Sequence, residues 1–159
     1  MIERKKQDNL TKAYNAGISL LAARTRSVKE VRDALYKKKF PGDIISQVIL
    51  KLKKSRLLDD NKFAAEFVLT RERLRPKSKF ALKYELRQKG VSDSIIEKAI
   101  SDIDEYESAH RAVNLKISAW SELDRDKIKH KMITFLKNRG FNFEISSAIY
   151  EKIYGDISI

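Results

Sequence analysis

Two adjacent acids, Asp59 and Asp60, are the first residues whose type and spacing suggest chemistry, as metal ligands or as a general acid–base pair. No third carboxylate or histidine lies at ligand spacing from them. An aspartate just before an apolar-periodic run instead accepts the free N–H groups of a helix's first turn. One of the pair is therefore expected to be an N-cap, and the other to favour the same helix through its dipole. His110 and His130 stand twenty residues apart in separate expected helices. There is no HExxH pair, no serine-centred nucleophile motif and no glycine-rich phosphate loop. Cysteine is absent, which excludes disulfides, thiolate zinc sites, iron–sulfur clusters and cysteine nucleophiles. These residues imply no enzyme, no cofactor and no metal.

The fixed cations are the second set. The 159 residues hold 34 Lys and Arg against 22 Asp and Glu, a net charge of +12. The excess is concentrated: residues 12–58 carry +9 and residues 105–159 only +1. Between Arg71 and Lys89 there are eight basic residues and two acids. A cysteine-free helical chain this basic points to nucleic acid first, an acidic protein surface second and a membrane surface third. The plainer alternative is that the charge serves solubility alone.

Arg71, Arg73, Arg75, Lys77 and Lys79 alternate around Pro76, between two expected helices. Arg24 and Arg26 take the equivalent place before Ser27. Basic side chains at a helix C-terminus pair with its carbonyl dipole, which accounts for one or two of these charges. Phosphates or an acidic protein groove account better for the rest. The expected contact residues are therefore Arg24, Arg26, Lys29, Arg71, Arg73, Arg75, Lys77 and Lys79. Lys37, Lys38, Lys39, Lys51, Lys53, Lys54 and Arg56 extend the patch or form solvated helix faces. Tyr36 and Tyr84, inside the basic tract, are placed to reach a base or a partner. Trp120, Phe141 and Tyr150 fall at pattern positions and are expected in a core rather than on a stacking platform.

The elements that must carry these residues are helical. Gly and Pro total only seven, so long stretches run without a breaker. A repeat of about fifty residues is visible. Ser27-Val28-Lys29-Glu30-Val31 leads to Leu35, Phe40, Ile44-Ile45, Ile49 and Leu52. Ser78-Lys79-Phe80-Ala81-Leu82 leads to Leu86, Val91, Ile95-Ile96, Ile100 and Ile103. Met132 leads to Leu136, Phe141, Ile145, Ile149-Tyr150 and Ile153. Val28, Val31 and Leu35 share one helical face. Ser27 with Glu30 is a capping box, and Gly90 and Gly140 sit where a helix must stop. The first unit has Lys39 at that place and Pro41-Gly42 after it, so its turn is expected to differ.

A further helix precedes each pair: Ala13 to Ala23, Phe63 to Leu74 and Ala109 to Trp120. The expected fold is all-α, an elongated array of three tandem three-helix repeats, with divisions at 1–58, 59–104 and 105–159. No apolar run approaches the roughly 20 residues of a membrane helix. The basic Met1–Lys6 followed by Ala16–Ala23 resembles a signal peptide only weakly, because the apolar stretch is short and belongs to the repeat.

The string Arg71…Arg75-Pro76-Lys77-Ser78…Leu82…Glu85-Leu86-Arg87-Gln88-Lys89-Gly90-Val91 resembles the signature of the bacterial RecX regulatory proteins. So do Leu57-Leu58-Asp59-Asp60…Phe63-Ala64 and Arg26-Ser27…Glu30-Val31…Leu35 with Phe40. The resemblance runs from about Ala13 to Ile153, and Asn138-Arg139-Gly140-Phe141 is the clearest anchor of its looser third part. Lys39, where the family has Gly, is a departure. The resemblance implies three-helix repeats and a modulator, usually an inhibitor, of the RecA recombinase. Such a protein binds the RecA–single-stranded-DNA filament along its groove. It opposes filament growth, ATP hydrolysis, strand exchange and RecA's co-protease role in the SOS response. The partners implied are the filament and single-stranded DNA, with double-stranded DNA a further candidate, for a cytoplasmic monomer that needs no membrane. The competing reading is a general basic helical DNA-binding protein, each helix pair acting as a helix-turn-helix. Against it, the would-be recognition helix from Asp93 carries Asp93, Glu97 and Asp102, which repel phosphate.

Overall fold

The computed structural model describes residues 1–155. Every regular element among them is helical. The first third forms α1 (Ile2–Ala23), α2 (Val28–Lys37) and α3 (Gly42–Lys54). The middle forms α4 (Asp60–Leu74), α5 (Lys79–Gln88) and α6 (Asp93–Ile100). The last third forms α7 (Glu105–Asn114), α8 (Arg125–Asn138) and α9 (Phe143–Tyr154), with a 3-10 turn at Ile117–Trp120 between α7 and α8. No helix among the described residues is long and apolar enough to cross a membrane.

Contacts gather the chain into two units, Met1–Glu66 with Leu86–Ala99, and Phe67–Glu85 with the chain from Ile100 onward. These units are not the sequence repeats, because α4 and α5 are each divided between them. The repeat boundaries remain a proposal about how the chain is built up in sequence.

In the first unit, α1 and α2 pack against α3. Val31, Leu35, Ile44, Val48 and Leu52 are shut away from solvent with Ala13. Gly17 lets α1 approach closely, since a Cβ there would meet Leu52 Cδ1 at 3.0 Å. The apolar stretch from Ala16 is thus part of a folded helix. That helix starts at Ile2, eleven residues before the expected Ala13, because residues 2–12 contain no Gly or Pro to stop it. In the second unit, α7, α8 and α9 enclose Ala112, Val113, Met132, Leu136 and Ile149. Phe141 is buried, and Tyr150 and half-buried Trp120 are packed against this cluster, as expected of all three.

Ser27 caps α2 through the full capping box, accepting from Glu30 N at 3.1 Å while Glu30 Oε1 accepts from Ser27 N. Ser78 accepts from Ala81 N in the same way at 3.0 Å. The three helix stops are also alike. Lys39, Gly90 and Gly140 have φ of +66°, +76° and +87°. The next amide returns to a buried leucine carbonyl each time: Phe40 to Leu35, Val91 to Leu86 and Phe141 to Leu136. Each left-handed residue also donates to the carbonyl three before it, which completes a Schellman stop. The expectation of a different turn in the first unit is therefore overturned. Lys39 adopts the glycine conformation because the paired hydrogen bonds and the apolar residue at position 40 hold it there, against the left-handed strain of an L residue.

Other boundaries differ from the sequence reading. The helix expected from Ala109 to Trp120 stops at Asn114, where the Lys116 amide turns back to Val113 O and Leu115 faces solvent. α6 ends at Ile100, so Ile103 of the repeat pattern lies beyond the helix. Phe80 and Leu74, read as pattern positions, are exposed.

Candidate nucleic-acid interface

Asp59 is the N-cap of α4. Its carbonyl accepts from Phe63 N at 3.0 Å and its carboxylate from Asn61 N at 2.9 Å. Asp60 opens α4 but turns its carboxylate to the Val28 amide of α2 at 2.8 Å. The two acids thus serve two helices, not one. Burial raises the Asp60 carboxyl above its ordinary value, opposed by the Val28 N–H and the Lys53 charge. The nearby charges of Asp59 and Glu30 push it the same way as burial. His110 stacks parallel to Tyr106 with centroids 6.5 Å apart, and its ring nitrogen lies 3.4 Å from the Asn114 amide.

The expected cations of the first unit are each engaged within it. Arg24 pairs with Glu30 at 2.6 Å, and Lys89 approaches the same carboxylate at 3.5 Å. Burial pushes the Glu30 carboxyl up, yet the Arg24 hydrogen bond, the Ser27 N–H and the Lys89 and Arg24 charges outweigh it and hold it below its ordinary value. Arg26 Nε reaches the Leu20 carbonyl in the last turn of α1 at 3.4 Å, the dipole pairing expected of such a residue. Lys29 pairs with Asp33 at 2.9 Å, one turn along α2. Exposed cations without an acidic partner among the described residues include Lys37, Lys38 and Lys39, which directly follow exposed Tyr36, Lys54 at the end of α3 and Arg56 just beyond it.

The second unit sorts its cations into two kinds. Arg71 Nε lies 2.8 Å from Glu85, with its guanidinium 4.8 Å over the Phe67 ring. Lys77, largely buried, binds the other oxygen of Glu85. Burial pushes the Glu85 carboxyl up, but the Lys77 and Arg71 hydrogen bonds and charges hold it below its ordinary value. Lys79 is half-buried, and its backbone N–H donates to Glu105 at 2.9 Å. Arg73 and Arg75 are exposed and have no acidic partner among the described residues. They are the residues of the expected set with guanidinium groups free for an outside anion.

Arg139, a cation left out of the expected set, is half-buried and engaged inside the unit. It donates to the Pro76 carbonyl at 3.1 Å, and its own carbonyl accepts from Ser78 N at 3.0 Å. Its guanidinium lies 4.7 Å over Phe135. Burial and the charge of Arg75 depress its ionisation, which places Arg75 and Arg139 as electrostatic neighbours. Sixty-four residues separate the two in sequence, so charge arithmetic along the chain cannot pair them. In the same unit, on α5, Phe80 and Tyr84 stand one turn apart with relative exposures of 78% and 61%. Exposed aromatics and arginines on one unit are the side chains that dominate binding energy at interfaces. The arrangement can hold phosphates or carboxylates and stack on flat or apolar groups.

A family model described as the first three-helix domain of RecX matches residues 13–52, and one for the second three-helix domain matches residues 59–100. A "Regulatory protein RecX" of Prosthecochloris aestuarii is 39% identical over 133 residues, covering 82% of this chain and 86% of the relative. One from Bacillus subtilis is 32% identical over 156 residues, covering 96% of this chain and 59% of the relative. The crystal structure of RecX from Lactobacillus salivarius superposes with a TM-score of 0.77 at 27% identity, over 92% of this chain and 97% of that one.

Proposed function

We propose that this chain, which belongs to the RecX family of regulatory proteins, binds the RecA filament on single-stranded DNA and modulates it, mainly as an inhibitor of ATP hydrolysis, strand exchange and co-protease action. The observation that carries the reading is the likeness to regulatory RecX proteins over most of the chain. The surface chemistry supports it. Arg73 and Arg75 offer charge that no acid among the described residues uses, suited to DNA phosphates or to acidic patches on a protein filament. Exposed Phe80 and Tyr84 supply apolar contact area on the same unit. Several three-helix units on one chain raise affinity through effective concentration when more than one engages the same filament.

RecA-catalysed ATP hydrolysis on single-stranded DNA, with and without this protein, is the test. Inhibition at substoichiometric ratios is the expected result. Inhibition only at stoichiometric protein, and only when DNA is scarce, would instead favour a general DNA-binding protein competing for the strand.

A further inference from the structure

The segment between α7 and α8 places Trp120 beside α8, where it lines an open cavity of about 400 Å³ with His130, Lys131, Thr134, Phe135 and Asn138. This volume falls within the range of small-ligand sites. Trp120 and Phe135 form its aromatic wall, packed edge to face with centroids 5.7 Å apart. Both are half-buried, so the packing fixes them while part of each ring faces the cavity. The α8 residues lie on one helical strip, since positions 131, 134 or 135, and 138 recur every turn. The Thr134 hydroxyl and the Asn138 amide have no hydrogen-bond partner among the described residues. Lys131 is exposed on the same strip without an acidic partner among them, and the Arg139 guanidinium lies 4.7 Å from the Phe135 ring centre.

We propose that this cavity is a nucleobase subsite for single-stranded nucleic acid. A flat heterocycle can stack on the indole, a mode open to every base because every base has a π-face. Its polar edge meets the Asn138 amide and Thr134 hydroxyl, which provide both donors and an acceptor. The attached phosphate meets Lys131. An apolar protein side chain fits less well, because it would cover the Asn138 and Thr134 polar groups without satisfying them. The proposal rests on the filament reading only for the choice of single-stranded DNA, and it gives the third repeat a binding role where charge arithmetic assigns it none.

The chain has one tryptophan, so its fluorescence reports on this cavity alone. The protein is titrated with oligothymidylate and with an abasic oligonucleotide of equal length, in the absence of RecA. Oligothymidylate should quench Trp120, and the abasic strand should leave it nearly unchanged at matched occupancy, measured by anisotropy of a labelled strand. Trp120→Leu should weaken oligothymidylate binding on the order of 10-fold or more. Should Trp120→Leu perturb folding by circular dichroism, the exposed pair Asn138→Ala and Lys131→Ala provides the same test with no core contact removed. Asn138→Ala should weaken oligothymidylate while sparing the abasic strand, and Lys131→Ala, which removes a phosphate contact, should weaken both. Equal quenching by the abasic strand, or binding without quenching and without loss in the variants, overturns the proposal. Because RecA is absent, either failure leaves the ATPase result to stand or fall separately.

Discussion

Replacing Arg73 and Arg75 by Glu, against replacing Arg71 or Lys77 by Ala, separates binding charge from structural charge. Arg73 and Arg75 are exposed without an acidic partner among the described residues. Their loss should change stability by less than about 0.5 kcal/mol. Each phosphate neutralised on a single strand adds about −0.7 to the log–log salt slope, so losing two contacts flattens it by about 1.4. Between 1 M and 0.1 M salt that change amounts to about 25-fold in affinity. Arg71 is different, because it holds half-buried Glu85 at 2.8 Å and covers the Phe67 ring. Its truncation removes a part-exposed, solvent-screened ion pair and a cation–π contact, about 1–2 kcal/mol together. A domain of this size should then melt a few degrees lower, about 2–4 °C per kcal/mol. Anisotropy of a labelled single strand at several salt concentrations, with thermal melts of each variant, gives both readouts. The sorting is refuted if the Arg73/Arg75 pair keeps the parent's slope. It is refuted equally if Arg71→Ala flattens the slope as much while melting unchanged.

Further tests address the helix caps and turns. Glu30 and Glu85 have folded-state carboxyls held below the ordinary 4.5. Their contribution is present above about that pH and is lost as pH falls through the lowered values, so Glu85→Gln should flatten the acid limb of a stability–pH curve. Asp60 is raised above 3.8, so its contribution runs the other way: full below that value and lost as pH rises through the raised one. Asp60→Asn, which can still accept from Val28 N, should remove that opposite slope with little loss of stability at neutral pH. Gly140→Ala combines a left-handed penalty with an overlap on the capping residue Ser78. It should cost about 2–3 kcal/mol. Lys39→Gly relieves the same strain and should stabilise by about 1 kcal/mol in denaturant melts.

Periodicity made the helices and their order legible because the core is built from a repeated stripe. Leu35, Leu86 and Leu136 are all fully buried, at the positions the repeat gives them. The Ser27 capping box was readable from two residues three apart, since a cap is a local interaction. The turn at Lys39 was not, because residue type predicts left-handed backbone only through glycine. There the fixed partners are Leu35 O and Tyr36 O, which any residue's neighbours can reach. Charge was legible as an amount and not as an availability. Arg24, Lys29, Arg71 and Lys77 read like Arg73 and Arg75 in sequence, and only the positions of Glu30, Asp33 and Glu85 tell them apart.

The third repeat shows how one architecture acquires a new surface without new chemistry in its core. Its first helix, α7, has 10 residues where α1 has 22 and α4 has 15. The chain between Asn114 and Arg125 is thereby released from helix and folds as a 3-10 turn. That turn carries Trp120 onto α8, whose 14 residues exceed the 10 of α2 and α5. Buried Met132 and Leu136 on the opposite side of α8 keep the repeat's stripe. The exposed side is then free to hold Lys131, Thr134 and Asn138 around the indole. Shortening one helix and lengthening another therefore turns an interior-type aromatic into the wall of a cavity. A low net charge in this repeat is consistent with that role, because stacking needs a fixed ring and a polar edge more than it needs a field.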